Sequence, residues 1–273
     1  MTTTDPTTAR TDPADPAATA ERGALLRRLH EASELLQVVN VWDVVSARAV
    51  AGLPGTRALA TASHSIAATF GYPDGERIPR ALMLDMAGRI ARAVDVPVSA
   101  DLEAGYGDAG ETIRLAIAEG IVGANLEDEL KPLPDAVAAV RAAVAAADAE
   151  GVPFALNART DAFLRGGGRP VAESVADAIE RGRAFLDEGA TCVFVPGNLG
   201  ESVVADLVAG IGERRVSLIG LPDVPPPARL AELGVARLSY GPYTQRVVLG
   251  TLQDLATSLY DGGVLPSGIR PLN

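Results

Sequence analysis

The chain has 273 residues, 48% of them hydrophobic, with a formal net charge of −11. That is enough apolar material for one large core, and the charge has the wrong sign for a nucleic-acid or anionic-membrane surface. No apolar run approaches the roughly 20 residues of a membrane span, and the N-terminus lacks the charged-then-apolar layout of a signal peptide, so a cytoplasmic protein is expected.

Residues 1–20, rich in Thr, Pro, Asp and Ala, show no apolar periodicity and read as a disordered tail. A leading helix is expected over residues 24–35. Short apolar runs then begin near Val38, Ala58, Val96, Val122, Phe154, Thr191, Val216 and Ala236, separated by amphipathic or Ala-rich segments. Glycine follows several of these segments, as in Glu119-Gly120, Glu188-Gly189 and Leu233-Gly234, where a left-handed C-terminal cap belongs. Pro225 to Pro227 suit a helix start. Eight strand-helix units over residues 21–273 predict a single (β/α)8 TIM barrel of the α/β class, with an open doubly wound sheet as the alternative. The lone cysteine, Cys192, excludes an internal disulfide and reads as a buried core thiol.

Active sites of such barrels form at the C-terminal strand ends. The unusual polar residues fall there: Asn40, Trp42 and Asp43 after the first strand, Ser63, His64 and Ser65 after the second, Asp101 and Glu103 after the third, Glu127 after the fourth, Asn157 and Arg159 after the fifth. Residues 99–107, Ser-Ala-Asp-Leu-Glu-Ala-Gly-Tyr-Gly, carry most information. Strand alternation places Ser99, Asp101 and Glu103 on one face, and two acids on one face repel unless water or a cation compensates them. The Gly105-Tyr106-Gly107 turn lets the chain bend sharply just beyond.

Carboxylate ligands suit a hard cation, magnesium or alternatively manganese. With only His30 and His64 in the chain, a multi-histidine zinc site or a Ser-His-Asp triad lacks raw material, and no Gly-rich nucleotide loop occurs. A carboxylate-held magnesium ion can bind a 2-oxo acid and stabilise the enolate formed when a bond beside the ketone breaks. Trp42, Asp43, Ser63, Ser65, Gly105, Tyr106, Asn157 and Arg159 are the candidate substrate-binding residues, and Arg159, His64 and Lys131 the candidate catalytic ones. Each has a plainer reading beside it. Asp101 and Glu103 can be solvated loop acids, Arg159 the partner of a strand-end carboxylate, His64 a hydrogen-bonded structural residue, Lys131 a solvated loop lysine, Asp43 a helix cap with Ser46, Asp128 an outward loop acid, and Gly166 to Gly168 a flexible connector.

From about Val38 onward the chain resembles the isocitrate lyase and phosphoenolpyruvate mutase superfamily. The resemblance rests on residues 42–48 (Trp-Asp-Val-Val-Ser-Ala-Arg), Gly71-Tyr72-Pro73-Asp74, residues 101–107, Glu127-Asp128 and residues 157–161 (Asn-Ala-Arg-Thr-Asp). It implies a magnesium-dependent barrel in which Asp101 is the principal metal ligand, Glu103, Glu127 and Asp74 hold coordinated waters, Arg159 binds substrate, and the Asp43 turn lies beside it. It also implies a dimer or tetramer. The family often has aspartate at the position of Glu103. Two further departures concern the reaction: no Cys-Gly-His segment follows the acids of the fourth strand, where the chain reads Glu129-Leu130-Lys131-Pro132, and no long gating loop is present. The expected activity is that of a carbon–carbon lyase or decarboxylase acting on a small 2-oxo or 2-hydroxy carboxylate. The alternatives are a phosphonopyruvate mutase or hydrolase, and a barrel that binds metal and carboxylate without turnover.

Overall fold

The computed structural model describes residues 15–271. Helix α1 (Pro16–Glu31) leads into β1 (Leu36–Gln37), β2 (Val39–Val41), α2 (Val44–Ala51), β3 (Leu59–Thr61), α3 (Ser63–Thr69) and α4 (Arg80–Ala93). Next come β4 (Val98–Asp101), α5 (Ala109–Ala118), β5 (Gly123–Glu127), α6 (Leu133–Ala149), β6 (Ala155–Arg159) and α7 (Val171–Asp187). The chain finishes through β7 (Cys192–Phe194), α8 (Glu201–Ile211), β8 (Val216–Ile219), α9 (Pro227–Glu232), β9 (Arg237–Ser239) and α10 (Tyr243–Tyr260).

All strand pairings are parallel, in the order β1-β9-β8-β7-β6-β5-β4-β3-β2. The ring closes through one extended stretch. β1 pairs with β9 and β2 with β3, and between them the Val38 N–H donates to the Leu238 carbonyl at 2.9 Å. The expected eight-stranded barrel therefore stands, its first strand divided into two segments, and the doubly wound alternative falls. The glycines at 120, 189 and 234 adopt φ of 84°, 96° and 85°, the left-handed caps expected of them, and Pro227 opens α9.

The N-terminal boundary differs from expectation. α1 starts at Pro16, with the Asp15 carboxylate accepting the Ala17 N–H at 3.2 Å, so residues 16–20 of the expected tail are helical; its earlier residues, up to 14, lie outside the described residues. The helix also stops at Glu31 rather than residue 35, because Ala32 turns extended on the way to β1. Tertiary contact explains both shifts, since this helix seals the N-terminal end of the barrel. A Cβ on Gly23 would lie 2.9 Å from the Pro153 carbonyl, and one on Gly123 would lie 2.7 Å from the Leu26 side chain. Leu26, Leu29 and His30 are buried there.

His30 donates from Nδ1 to the Leu26 carbonyl at 2.8 Å, while its Nε2 has no partner among the described residues. Burial lowers its pKa from 6.5 to about 3, and the charge of Arg237 adds to the effect. Since the unfolded chain takes up a proton near pH 6.5 and the folded chain does not, stability present above that pH is lost as the pH falls. Between pH 7.5 and 5.0 the wild type should lose about 2 kcal/mol relative to His30→Gln. Urea titrations of both proteins at the two pH values check this, and parallel losses would show that the imidazole does not remain neutral.

Candidate active site

Alternation along the strands sends Ser99, Asp101, Asn125, Glu127, Asn157 and Arg159 into the barrel or up to its C-terminal mouth. Asp101 lies opposite Asn125, and Glu127 lies opposite Arg159. Parallel register thus brings an acid and a guanidinium side by side at the rim.

Asp101 is anchored on one side only. Its Oδ2 accepts the Ser63 N–H at 3.1 Å and the Ser63 hydroxyl at 2.9 Å, whereas its Oδ1 is buried and has no partner among the described residues. An unpaired buried carboxylate oxygen is costly unless something outside the chain meets it. The Ser63 hydroxyl also lies 3.4 Å from Asp74, whose other oxygen is 3.6 Å from His64 Nδ1. Asp74 and His64 are well exposed, and Ser65 is buried with its hydroxyl unpartnered.

Glu103 reaches this cluster by a different route from the one expected. β4 ends at Asp101, and Glu103 takes φ of 52°, so a left-handed turn rather than strand alternation aims its carboxylate. The side chain is buried, accepting the Glu76 N–H and, at 3.3 Å, the Tyr106 hydroxyl. The Glu76 carboxylate in turn accepts the Tyr106 N–H at 2.6 Å, tying the loop after α3 to the loop after β4. Gly105 is obligatory at this bend, with φ of 90° and Ala109 Cα 2.9 Å from where its Cβ would stand. Burial pushes the Glu103 carboxyl up to about 7, with Asp101, Asp74 and Glu76 adding to the shift against the Glu76 N–H. Burial also raises Tyr106, and Glu103 reinforces it.

Glu127 pairs with Arg159 at 2.5 Å. Burial nevertheless pushes its carboxyl up to about 8, the Asp161, Asp101 and Glu103 charges outweighing with it the pull of Arg159. Arg159 is held from its other side by Asp161, 2.8 Å from both Nε and Nη2, and is only 19% exposed. The guanidinium therefore pairs with strand-end acids on both sides, the plainer of its two sequence readings. Beside Glu127 and Arg159 opens a cavity of about 370 Å³, walled by Ala104, Ala109, Leu126 and Ala136.

Other residues take plainer places. Asn157 is fully buried below the mouth, donating to Asn125 Oδ1 at 2.7 Å and accepting the Cys192 thiol at 2.9 Å, so it offers nothing to a substrate and the binding role expected for it is corrected. Its register, one pleat below Arg159, is the reason. Cys192 is buried as expected, and burial pushes its thiol up to about 12. Asp43 caps α2 in a reciprocal box with Ser46, and Trp42 and Asp43 border a separate apolar groove between α2 and α10. Lys131 is half exposed and 2.6 Å from Glu129. Asp128 points outward, its carboxylate binding the Leu130 and Asp161 N–H groups and Arg181. The residues that sequence reasoning missed are Glu76 and Arg165, both in loops between elements. An arginine four residues after Asp161 was the available signal for the second.

The donor set at the mouth is nearly all carboxylate oxygen, and with the unpartnered Asp101 Oδ1 it fits a hard divalent cation. Among the described residues no group of three or more His, Cys, Asp or Glu side chains is placed to hold a metal ion. That arrangement is compatible with a magnesium-type ion, which takes one or two carboxylates and keeps its waters.

Comparison with known proteins gives concordant results. A candidate phosphonomutase of Burkholderia cenocepacia J2315 superposes with a TM-score of 0.81 at 42% identity, covering 87% of this chain and 99% of that one. Oxaloacetate acetylhydrolase, solved with its product oxalate, gives 0.80 at 27% identity over 93% and 92% of the two chains. An oxaloacetate decarboxylase of Paraburkholderia xenovorans LB400 is 28% identical over 84% of this chain and 79% of its own length. No helix among the described residues is long and apolar enough to cross a membrane. The profile of the phosphoenolpyruvate phosphomutase family matches residues 26–260, and with these relatives it makes the chain a member of that family, within the isocitrate lyase and phosphoenolpyruvate mutase superfamily, whose members include carbon–carbon lyases.

Proposed function

We propose that this protein is a divalent-metal-dependent carbon–carbon lyase or decarboxylase acting on a small 2-oxo dicarboxylate of the oxaloacetate type. The observation that carries this reading is the unpartnered Asp101 Oδ1 within reach of the Glu103 and Glu127 charges, with the Arg159 guanidinium on the same rim. Asp101 would ligate magnesium, or manganese in its place, and Glu103, Glu127 and Asp74 would hold its waters. Such an ion, when bound, supplies the positive charge that a ketone oxygen needs as the bond beside it breaks. The chain's own groups do the rest. Arg159 fixes the carboxylate next to the ketone, the Ser63 N–H and hydroxyl orient Asp101, and the Glu103–Tyr106–Glu76 contacts hold the two loops against water. His64, next to Ser63 and partly exposed, is the proton donor we assign to the carbon left behind. Lys131 is the second candidate, from the rim of the side cavity.

The test is turnover of a panel of 2-oxo and 2-hydroxy di- and tricarboxylates plus phosphonopyruvate, with magnesium, manganese or chelator. Oxaloacetate consumption abolished by chelator is expected. Isomerisation of phosphonopyruvate alone would favour the mutase reading, which the candidate phosphonomutase at 42% identity supports. Binding of carboxylates without any turnover would reduce the protein to a carboxylate-binding barrel.

We also propose that copies associate through α10. Val247, Val248, Leu249 and Leu252 are 49–69% exposed on this helix, and the groove of about 590 Å³ between it and α2 is apolar. Light scattering should give a dimer or tetramer that Val247→Asp dissociates. A wild-type monomer at micromolar concentration would remove this surface from the assignment.

A further inference from the structure

One acid at the mouth holds two guanidinium groups. Asp161, 1% exposed, binds Arg159 through Oδ1 and accepts the Arg165 Nε–H through Oδ2 at 3.0 Å. Glu127 repeats the pattern more loosely, 2.5 Å from Arg159 and 4.0 Å from Arg165. The two arginines therefore stand side by side at the rim, and they differ in what they have left to give. Arg159 has its Nε and both terminal nitrogens in contacts of 2.5–2.8 Å. Arg165 is 51% exposed and uses only Nε; its Nη2 stays 3.6 Å from Glu129 and 4.0 Å from Glu127, beyond hydrogen-bond range, and neither terminal nitrogen makes a hydrogen bond among the described residues.

The other guanidiniums of this region are spent. Arg169 is bound to Ser174, Asp177 and the Ala162 carbonyl, and Arg181 to Asp177, Asp128 and the Lys131 carbonyl. Gly167 and Gly168, with φ of 65° and 77°, let the chain turn away just after Arg165 and leave its fork uncovered. A planar fork held in place through its Nε, with Nη1 unengaged among the described residues and Nη2 only loosely ion-paired to Glu129 and Glu127, is suited to a carboxylate.

We propose that Arg165 is a specificity-determining residue that recognises the distal carboxylate of the substrate, the one remote from the ketone, so that the site selects dicarboxylates over monocarboxylate 2-oxo acids. The assignment rests on the functional reading above. Arg159 takes the carboxylate adjoining the ketone, and Arg165, held on the other oxygen of the same Asp161 carboxylate, is the neighbouring cation left for the distal acid.

Calorimetric binding of three probes to the metal-loaded protein tests it: oxalate, which occupies only the 2-oxo acid end, 3,3-difluorooxaloacetate, which adds the distal carboxylate, and phosphonopyruvate, which adds a doubly charged distal group. Arg165→Gln should weaken difluorooxaloacetate about 10- to 100-fold while leaving oxalate within about twofold, and Arg165→Lys should recover part of the loss. With substrate, KM should rise more than kcat falls. Equal weakening of oxalate and difluorooxaloacetate would mean that Arg165 only props Asp161, and no weakening of either would mean that it touches nothing; both overturn the assignment and leave the functional reading standing. Tighter wild-type binding of phosphonopyruvate than of difluorooxaloacetate would overturn the choice of carboxylate. A wild type that binds none of the three would overturn both.

Discussion

Asp101→Asn will fold normally and lose metal-dependent turnover by about a thousandfold, the equivalent of several kcal/mol of charge stabilisation. The amide oxygen can keep the two hydrogen bonds from Ser63, which both fall on Oδ2, but the amide nitrogen then takes the place of Oδ1. A buried acceptor aimed at a cation becomes a donor that repels it. Stability should not suffer, since the change removes one negative charge from a rim where acid neighbours already drive Glu103 and Glu127 upward. Thermal melting should stay within a few degrees of wild type. Calorimetry with magnesium decides the matter: undiminished affinity in the variant would falsify Asp101 as the ligand.

Arg159→Lys separates substrate from metal. The guanidinium bridges Glu127 on one side and Asp161 on the other, at 2.5 Å and 2.8 Å, and an ammonium on a flexible stem can satisfy only one of them while losing the planar fork. We expect kcat/KM to fall about 100-fold and oxalate to bind correspondingly more weakly, a loss of about 3 kcal/mol. The formal charge is unchanged, so magnesium affinity should be unchanged too. If oxalate bound as tightly to Arg159→Lys as to wild type, Arg159 would be a strut for the acids and not a substrate contact.

The acids of the mouth were legible in the sequence because strand ends and helix starts leave local signals. Apolar runs of four or five residues closing on Asp101 and on Glu127, the Asp43–Ser46 capping pair, the glycine caps and the Pro227 helix start each depend on neighbours within one turn or one pleat, and each stands where the sequence placed it. Pattern over the whole chain then sufficed for the alternating barrel. What the sequence left undecided was how side chains from separate elements meet. Glu103 joins the cluster through a left-handed residue just past the strand, and alternation led to the right neighbourhood by the wrong geometry. Asn157 shares a face with Arg159 but sits one pleat deeper, so burial removes it from the site.

α1 extends to Pro16 because Thr19 and Gly23 dock on the barrel floor, an energy that composition does not contain. Arg165 becomes visible as a second cation at the mouth only when Asp161 is seen to carry both guanidiniums. Short-range periodicity and capping are written into consecutive residues, and so the sequence by itself determined the barrel and the placing of Asp101 and Glu127 at its C-terminal strand ends. Convergence across elements depends on ring closure, pleat depth and positive φ at single positions, and only the tertiary structure decided which of those polar groups face one another and which are already spoken for.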